Sequence, residues 1–315
     1  NVYQSRAWGE YKRRHGWEPL RCVGKAKSGQ VVGMVQVLLR KLPMGIYAGW
    51  APGGPVIRFR DWSPKKTDKV LGSLRQFLER EHGSIWLRFH SYLPTEPELA
   101  YSFSGRLNRP FFKINSEFSI DLDLGLSAEE FERSMSSKHR YCVKQALAHE
   151  IEWKYGRDGE LQRGLSSLHA EMSDAKGMDS IRMGEGEIAN IVSSMGEQAA
   201  IFSGYSNGEA VTSCLLLTLG EKAFYAIAAN GRKGRELGAA YAMIYRLHAA
   251  LKSEGFKKLD FAGLDPKTPA ASGVNHFKRG FGGDMVEYLG EWECASSEKL
   301  RYAMNAAIRL RGGRL

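Results

Sequence analysis

The sequence has little cysteine and no long apolar run, and these two absences narrow its class. Its four cysteines lie far apart, without a C-x-x-C pair, in a chain of 315 residues. This spacing argues against a disulfide framework and against a zinc finger, so we expect four buried thiols in a reducing cytoplasm. No stretch approaches the roughly 18 apolar residues of a membrane-spanning helix. The first residues lack the basic and apolar regions of a signal peptide, which again favours a cytoplasmic protein.

The common catalytic motifs are missing as well. The sequence contains no G-x-S-x-G elbow, no H-E-x-x-H pair and no Walker A loop. Its eight histidines show no metal-ligand spacing. His248 lies on the apolar stripe of a predicted helix, so we expect it in the core. Hydrolytic and metal-dependent chemistry are therefore disfavoured, and we expect no cofactor.

Acidic residues are scarce at the start of the chain. Lys and Arg number 45 against 35 Asp and Glu, a net charge of +10. Residues 1–60 hold eleven basic residues and two acids, and residues 298–315 hold five basic residues and one acid. Such segments raise the local concentration of RNA, nucleotide diphosphates or an anionic membrane surface. The alternative is a merely solvated surface.

Apolar periodicity predicts the same mixture of elements in both halves of the chain. Ser127 and Glu130 have the spacing of a capping box, and Asn207-Gly208 predicts a hairpin turn. The order of elements indicates an α/β (α+β) fold with a mixed, largely antiparallel sheet flanked by helices, present twice. We expect a break at Gly125, and hence domains over 1–125 and 126–292. Helices are predicted over 5–15, 67–82, 128–149, 160–175 and 237–251, and strands over 31–39, 85–89, 119–124, 200–205, 210–219, 222–229 and 257–261.

A short motif follows a predicted strand and begins a helix. Arg235, Gly238 and Ala240 fit the R-x-x-G-x-A loop of GNAT-type acetyltransferases. In those enzymes the loop holds the pyrophosphate of coenzyme A on backbone N–H groups at a helix N-terminus, where the helix dipole favours negative charge. The alternative is a plain helix start.

Three further segments occur in a characteristic order. The chain begins with Gln4-Ser5-x-x-Trp8, residues 137–146 read S-K-H-R-Y-C-V-K-Q-A, and D-x-x-G at 260–263 precedes F-K-R-G-F-G-G at 277–283. They resemble the Q-S-x-x-W, R-x-x-I-K-x-A and D-x-x-G…F-K-x-x-F-G-G segments of the Fem (FemABX) family. This family comprises aminoacyl-tRNA-dependent transferases that build peptidoglycan cross-bridges. The similarity runs over most of the chain.

The resemblance implies a fold and a reaction. It implies two GNAT-like domains and a helix over about 293–315 that returns to the first domain. The chain lacks room for the long coiled-coil arm of some members, so we expect no such arm. The implied reaction is aminolysis, in which an acceptor amine attacks the ester that joins an amino acid to the tRNA 3′ end. Because an ester is already activated, such an enzyme needs to position its substrates and stabilise an oxyanion rather than supply a nucleophile.

The resemblance also implies roles for individual residues. Lys278 is the expected cation beside the oxyanion, and Phe277 is expected to position the tRNA 3′ end, although Phe277 and Phe281 also have the spacing of an ordinary core pair. The same signature implies that Asp260, Gly263 and Arg279 contribute to donor binding.

The implied acceptor site is less specific. Lys12 is the candidate contact for an acceptor phosphate, and Arg182 and Lys176 are both candidates for the acceptor-binding position of the second domain. The segment Gly53-Gly54-Pro55 departs from the Arg-Gly-Pro found in many members.

The expected donor is therefore aminoacyl-tRNA, and the expected acceptor is the amine of a peptide or nucleotide-linked peptide. Peripheral contact with an anionic membrane is a further expectation, whereas stable DNA binding is not expected. Two alternatives stay open: an acyl-CoA-dependent N-acyltransferase that uses the loop at 235–240, and a non-catalytic RNA-binding protein of the same fold.

Overall fold

The computed structural model describes residues 1–57, 63–177, 183–266 and 271–312, apart from the side chains of Pro64 and Lys176. The chain divides into two compact units. Unit 1 comprises Asn1–Glu117 with Glu287–Leu315, and unit 2 comprises Phe118–Val286. Among the described residues, no helix is both long and apolar enough to span a membrane.

Unit 1 is built on a mixed sheet with helices on its two faces. The sheet order is β1-β2-β3-β5-β12, and β4 pairs with β2. The β3–β5 pair is parallel and the other pairs are antiparallel. Its strands are β1 (Glu18–Lys25), β2 (Val31–Lys41), β3 (Tyr47–Pro52), β4 (Val56–Ile57), β5 (Ile85–Pro94) and residues 287–295 of β12 (Asp284–Ala295), and its helices are α1 (Arg6–Arg13), α2 (Pro64–His82), α3 (Pro97–Ser104) and α11 (Glu298–Leu310).

Side-chain alternation along β5 divides the core of unit 1 into two layers. Leu87 and Phe89 pack in a cluster with residues of α2 and α3. Trp86 points to the opposite face, where it packs in a cluster with Leu300 and Ile308 of α11. The period of two in a strand thus places α11 on the face opposite to α2 and α3.

The strands of unit 2 pair in the order β6-β11-β10-β9-β8-β7. The β10–β11 pair is parallel and the other pairs are antiparallel. Its strands are β6 (Phe118–Asp123), β7 (Glu152–Gly156), β8 (Ala199–Ser206), β9 (Glu209–Leu219), β10 (Lys222–Asn230) and β11 (Lys258–Asp260), and its helices are α4 (Ala128–Ser134), α5 (Ser137–Leu147), α6 (Gly159–Lys176), α7 (Glu185–Met195), α8 (Arg232–Glu236), α9 (Ala239–Ser253) and α10 (Ser272–Arg279).

The predicted α/β class and most predicted elements are confirmed, but one predicted helix is divided and several elements were not predicted. The helix expected over 128–149 is two helices, because Met135 is extended (ψ 151°) and Ser136 caps a new helix through the N–H of His139. The elements that were not predicted are the helices α3, α7, α8 and α10 and the strands β1, β3, β4 and β7. The turn at Asn207-Gly208 is confirmed, since both residues have positive φ, 53° and 78°, as the favoured hairpin turn requires.

The structure corrects two further expectations, one about the unit to which β6 belongs and one about the burial of the cysteines. Strand β6 was expected before the domain break at Gly125, but it pairs with β11 inside unit 2. The expectation of four buried thiols is wrong for Cys22 and Cys142, which are half-buried, and confirmed for Cys214 and Cys294.

Candidate functional site

The carboxylate of Asp260 organises the end of β11. Its side chain is buried, with Oδ2 2.9 Å from Lys222 Nζ, and Oδ1 accepts hydrogen bonds from the Ser119 hydroxyl and, at 2.8 Å, from the Ala262 N–H. Lys222 also donates to Asp121 at 2.9 Å. Burial opposes the charge of Lys222, but Asp260 and Asp121 outweigh it and raise the pKa of this lysine. A buried charge is thus paired on three neighbouring strands.

The chain turns sharply directly after Asp260. Ala262 adopts the left-handed conformation, with φ at 54°, which costs an L-residue with a Cβ on the order of 1 kcal/mol. The Asp260 carboxylate stabilises this turn by accepting the Ala262 N–H. As a result, the carbonyls of Ala262 and Gly263 both accept hydrogen bonds from Lys278 Nζ, at 3.1 and 2.8 Å.

Lys278 is the most chemically distinctive side chain of this site. Burial lowers its pKa from 10.5 to about 8, although the negative charge of Asp260 acts in the opposite direction. An ammonium has three N–H donors, and two of them are used by the Ala262 and Gly263 carbonyls. Among the described residues no acceptor is recorded for the third donor. Lys278 can therefore present a poorly hydrated N–H to a developing negative charge.

His139 fixes the helix that carries Lys278. Its ring is fully buried, and Nε2 lies 3.0 Å from the Phe277 carbonyl oxygen while Nδ1 lies 2.9 Å from Ser136 Oγ. Because a carbonyl oxygen only accepts, Nε2 carries the proton and Nδ1 accepts from the Ser136 hydroxyl. Burial lowers the pKa of His139, which keeps the ring neutral. The position of α10 thus depends on a neutral histidine of α5.

Close contacts with neighbouring atoms require glycine at three positions of the F-K-R-G-F-G-G segment. A Cβ on Gly280 would lie 1.9 Å from the His139 ring. Gly282 and Gly283 have φ near 80–90°, and a Cβ there would lie 2.7 Å from the Ser134 carbonyl oxygen or 2.8 Å from that of Asp121. These positions therefore need glycine to let α10 and the following strand approach α4 and β6.

Phe277 belongs to an aromatic cluster. Its ring centroid lies 5.1 Å from that of Phe281 and 5.3 Å from that of Tyr241, both in edge-to-face geometry. The cluster packs on the core of unit 2, and Phe277 is partly buried in it. This packing explains the Phe277–Phe281 spacing without a ligand. The Phe277 ring is only partly buried, and the next residue in the chain is Lys278. Arg279, by contrast, is exposed, and its Nη2 lies 3.6 Å from Met285 Sδ.

The candidate coenzyme A loop is folded on itself. Arg235 lies on the short helix α8 and donates from Nη1 to the Asn230 carbonyl at 2.8 Å. Gly238 is left-handed, with φ at 62°, and Ala240 lies in the first turn of α9. The N–H of Arg232, at the start of α8, donates to the Glu171 carboxylate at 2.6 Å. An anionic side chain of the protein therefore occupies this helix N-terminus.

The three candidates for acceptor binding are divided between the units: Lys12 belongs to unit 1, and Lys176 and Arg182 belong to unit 2. In unit 1, Lys12 Nζ lies 5.0, 4.8 and 5.7 Å from the ring centroids of Trp8, Tyr11 and Trp50. In unit 2, Arg182 lies outside the described residues, and so does the side chain of Lys176.

Some of the basic residues near the start of the chain have structural partners. Arg21 pairs with Glu10 at 2.9 Å, and Arg40 donates to the His15 carbonyl at 2.7 Å. The aromatic rings around Lys12 favour a cation electrostatically.

Sequence reasoning did not find the residues that support Lys278. His139 lies within the segment 137–146, but the pattern of that segment indicates no role for it. Ser119 and Lys222 lie in no recognisable motif. They meet Asp260 because β6, β10 and β11 are neighbours in the sheet, which no local pattern reveals. Among the described residues, no group of three His, Cys, Asp or Glu side chains could hold a metal ion.

Comparisons with known proteins agree with the motifs. Residues 162–309 match the FemAB family, whereas no curated protein matches the chain. A crystal structure of FemX superimposes with a TM-score of 0.82 and 15% identity, over 97% of this chain and 94% of that chain.

Two further structures are similar. L-PGS from Bacillus licheniformis has a TM-score of 0.56 and 16% identity, covering 93% of this chain and 90% of its own. A tandem GNAT protein from the clavulanic acid biosynthesis pathway has a TM-score of 0.54 and 11% identity, with 90% and 84% covered. At these identities the superpositions show a shared GNAT-like fold. Together with the family match over 162–309, they confirm the resemblance to the Fem family that the sequence motifs predict.

Proposed function

We propose that this protein is an aminoacyltransferase that moves an amino acid from aminoacyl-tRNA to an acceptor amine on a peptide or nucleotide-linked peptide in the cytoplasm. The observation that carries the proposal is the setting of Lys278: a half-buried ammonium with a pKa of about 8, held by two carbonyls. The family match and the fold support a Fem-type acyltransferase. The choice of aminoacyl-tRNA as the donor rests on the resemblance of the sequence motifs to the Fem family.

The proposed reaction needs few protein groups. The acceptor nitrogen forms a bond to the ester carbonyl carbon, the bond from this carbon to the ribose oxygen breaks, and the proton lost by the amine passes to that oxygen. In the tetrahedral intermediate the former carbonyl oxygen is negative. The third N–H of Lys278 stabilises this oxygen, and a single donor of this kind contributes roughly 10²–10³-fold in rate.

The remaining assignments are proposed on the same basis. The exposed edge of Phe277 contacts the tRNA 3′ end, and exposed Arg279 attracts its phosphates. Asp260 and Gly263 act indirectly, because they shape the turn whose carbonyls hold Lys278. Lys12 is the proposed phosphate contact for the acceptor, and Lys176 and Arg182 remain candidates for the same substrate.

The contacts of the loop at 235–240 favour a tRNA ester over coenzyme A. Arg235, the cation that would contact the diphosphate, donates instead to the Asn230 carbonyl at 2.8 Å, and the carboxylate of Glu171 lies at the start of α8, ahead of the loop. The double change Arg235→Gln with Ala240→Glu adds a further carboxylate in the first turn of α9. We expect it to leave transfer from tRNA nearly unchanged. Coenzyme A binding by the wild type that this variant abolishes, measured by calorimetry, would favour the acyl-CoA enzyme.

A direct comparison of donors tests the proposal. Total tRNA charged with labelled amino acids and, separately, labelled acetyl-CoA are incubated with the protein and a muropeptide acceptor linked to a uridine diphosphate. We expect label to move from tRNA to the acceptor, with release of free tRNA, and we expect Lys278→Met to slow this at least 100-fold. Transfer from acetyl-CoA alone overturns the donor assignment. Salt-dependent tRNA binding without transfer identifies an RNA-binding protein instead.

A further inference from the structure

A surface of unit 1 exposes apolar side chains that folding alone does not explain. Phe111 is 57% exposed, Phe112 37%, Tyr302 56% and Leu310 89%. A groove of about 520 Å³ is lined by the three aromatic residues of this set and by polar and small residues of the C-terminal helix: Phe111, Phe112, Tyr302, Asn305, Ala306 and Arg309. We call this surface the aromatic patch. Contiguous apolar surface of this kind is a sign of an interaction site.

Buried polar groups hold the aromatic patch in place. The N–H of Phe111 donates to Asn305 Oδ1 at 3.2 Å, and Asn305 in turn donates to the buried Glu293 carboxylate at 2.7 Å. The carbonyl of Phe112 accepts a hydrogen bond from the buried guanidinium of Arg88. The rings of Phe111 and Tyr302 stack at 4.9 Å. The backbone at both phenylalanines is therefore held in place, and the Phe111 ring is fixed at the surface by its stacking on Tyr302.

Helix α11 continues the patch with a face of unusual composition. Its inner face packs through Leu300 and Ile308. Its exposed positions after the first turn hold apolar or small residues and arginine, without an acid: Tyr302, Ala303, Ala306, Ala307, Arg309, Leu310 and the following Arg311. Apolar side chains beside exposed arginines are typical of helices that lie in the interface of a lipid bilayer.

The charges around the patch are one-sided. Glu117 and Glu298 lie in the segments 105–117 and 296–312, and Glu293 accepts a hydrogen bond from Asn305 of the groove. All three are engaged in ion pairs, and Glu293 binds Arg301 at 3.3 Å. Glu117 binds Arg109 and Lys113, and Glu298 binds Arg301. Arg309 and Arg311 are exposed, and among the described residues neither has a recorded ion pair. The field at the patch is therefore positive, which suits an anionic surface and disfavours a second copy of the same patch.

We propose that the aromatic patch docks on an anionic phospholipid surface, with the rings of Phe111, Phe112 and Tyr302 inserted among the acyl chains. Arg309 and Arg311 then contact the lipid phosphates. Neither attraction is strong alone, and stable peripheral binding requires two signals of this kind. The inference is independent of the proposed transferase reaction, because it rests on unit 1 surface residues that take no part in it.

Vesicle sedimentation of the full chain tests this inference. Vesicles of phosphatidylcholine are compared with vesicles that also contain phosphatidylglycerol. We expect binding to the anionic vesicles only, with an affinity that falls as salt is raised. Equal binding to both compositions, or binding to neither, overturns the proposal. A wild-type dimer in sedimentation equilibrium that Phe111→Ser converts to a monomer also overturns it, because the patch would then join two copies.

Two variants separate the two attractions. Phe111→Ser with Phe112→Ser removes the inserted rings, and Arg309→Gln with Arg311→Gln removes the phosphate contacts. We expect each pair to weaken binding to anionic vesicles at least tenfold.

Matched controls come from other parts of unit 1. Tyr101→Ser removes an aromatic side chain that is 78% exposed on α3, and Lys65→Gln with Lys66→Gln removes two exposed charges from α2. We expect the controls to bind like the wild type. Losses of the same size in the controls and in the patch variants would refute a specific docking surface.

Discussion

Lys278 carries an unusual electrostatic cost that can be measured without knowing the substrate. Its pKa is about 8 in the folded protein, against 10.5 for an ordinary lysine, because burial disfavours the charged form. Each unit of pKa shift corresponds to about 1.4 kcal/mol. At pH 7 the folded protein therefore loses at most about 3.5 kcal/mol by keeping this ammonium charged.

The sign of the pH dependence follows from proton binding. Between pH 8 and pH 10.5 the unfolded chain keeps the Lys278 proton while the folded protein releases it. The unfolded state then binds more protons, so the unfolding free energy of the wild type rises with pH across this window. The variant Lys278→Met lacks the titrating group. We expect the stability of the wild type relative to Lys278→Met to increase by about 2 kcal/mol between pH 7 and pH 10.

Urea unfolding at pH 7 and pH 10, followed by circular dichroism, measures this difference. Lys252→Met is a matched control, because Lys252 also donates to two backbone carbonyls, those of Gly125 and Leu126 at 2.8 and 2.7 Å, but is exposed. For the control we expect the same stability difference at both pH values. If the difference for Lys278→Met does not change between pH 7 and pH 10, the description of Lys278 as a desolvated cation is refuted.

Two further predictions concern the support of this lysine. Gly280→Ala forces a methyl group into the His139 ring and should lower the unfolding free energy by about 1–3 kcal/mol. Gly273→Ala on the same helix meets no neighbour and should be neutral or stabilising by up to ~1 kcal/mol, so equal effects in calorimetry would contradict the packing. Asp260→Asn breaks a buried ion pair and should cost about 3 kcal/mol in urea unfolding. The exposed Asp123→Asn should cost under ~1 kcal/mol, and a similar loss in both would contradict the role of Asp260.

The sequence motifs indicated where this candidate site lies, but they did not indicate which groups hold Lys278 in place. The motif at 277–283 located Lys278, and resemblance alone gave it a role. Its carbonyl partners could not be foreseen, because they depend on the left-handed turn at Ala262, a residue type that rarely adopts it. Periodicity predicted correctly the elements with a clear local pattern, such as α2, α6, α9, β2 and β9, but it missed most of the short ones.

Features that depend on long-range pairing were out of reach. The contact of Ser119, Lys222 and Asp260 joins three strands that are far apart in the chain. The domain break was expected eight residues late for the related reason that β6 pairs with β11, which lies far along the sequence. A local pattern identifies a strand but does not identify its partner.

The divided sequence of unit 1 has a consequence for synthesis on the ribosome. Strand β5 pairs with β12, whose Leu289 and Trp292 lie in the core of unit 1, but these residues follow the whole of unit 2 in the chain. At usual rates of translation the nascent first segment waits about 10–30 s for its last strand. During that interval the edge of β5 and part of an apolar core stay uncovered, which is a state that chaperones bind. Unit 2 is continuous in the chain, so it can fold as soon as its own residues are synthesised. Unit 1 begins earlier in the chain but can complete its fold only after unit 2 has been synthesised.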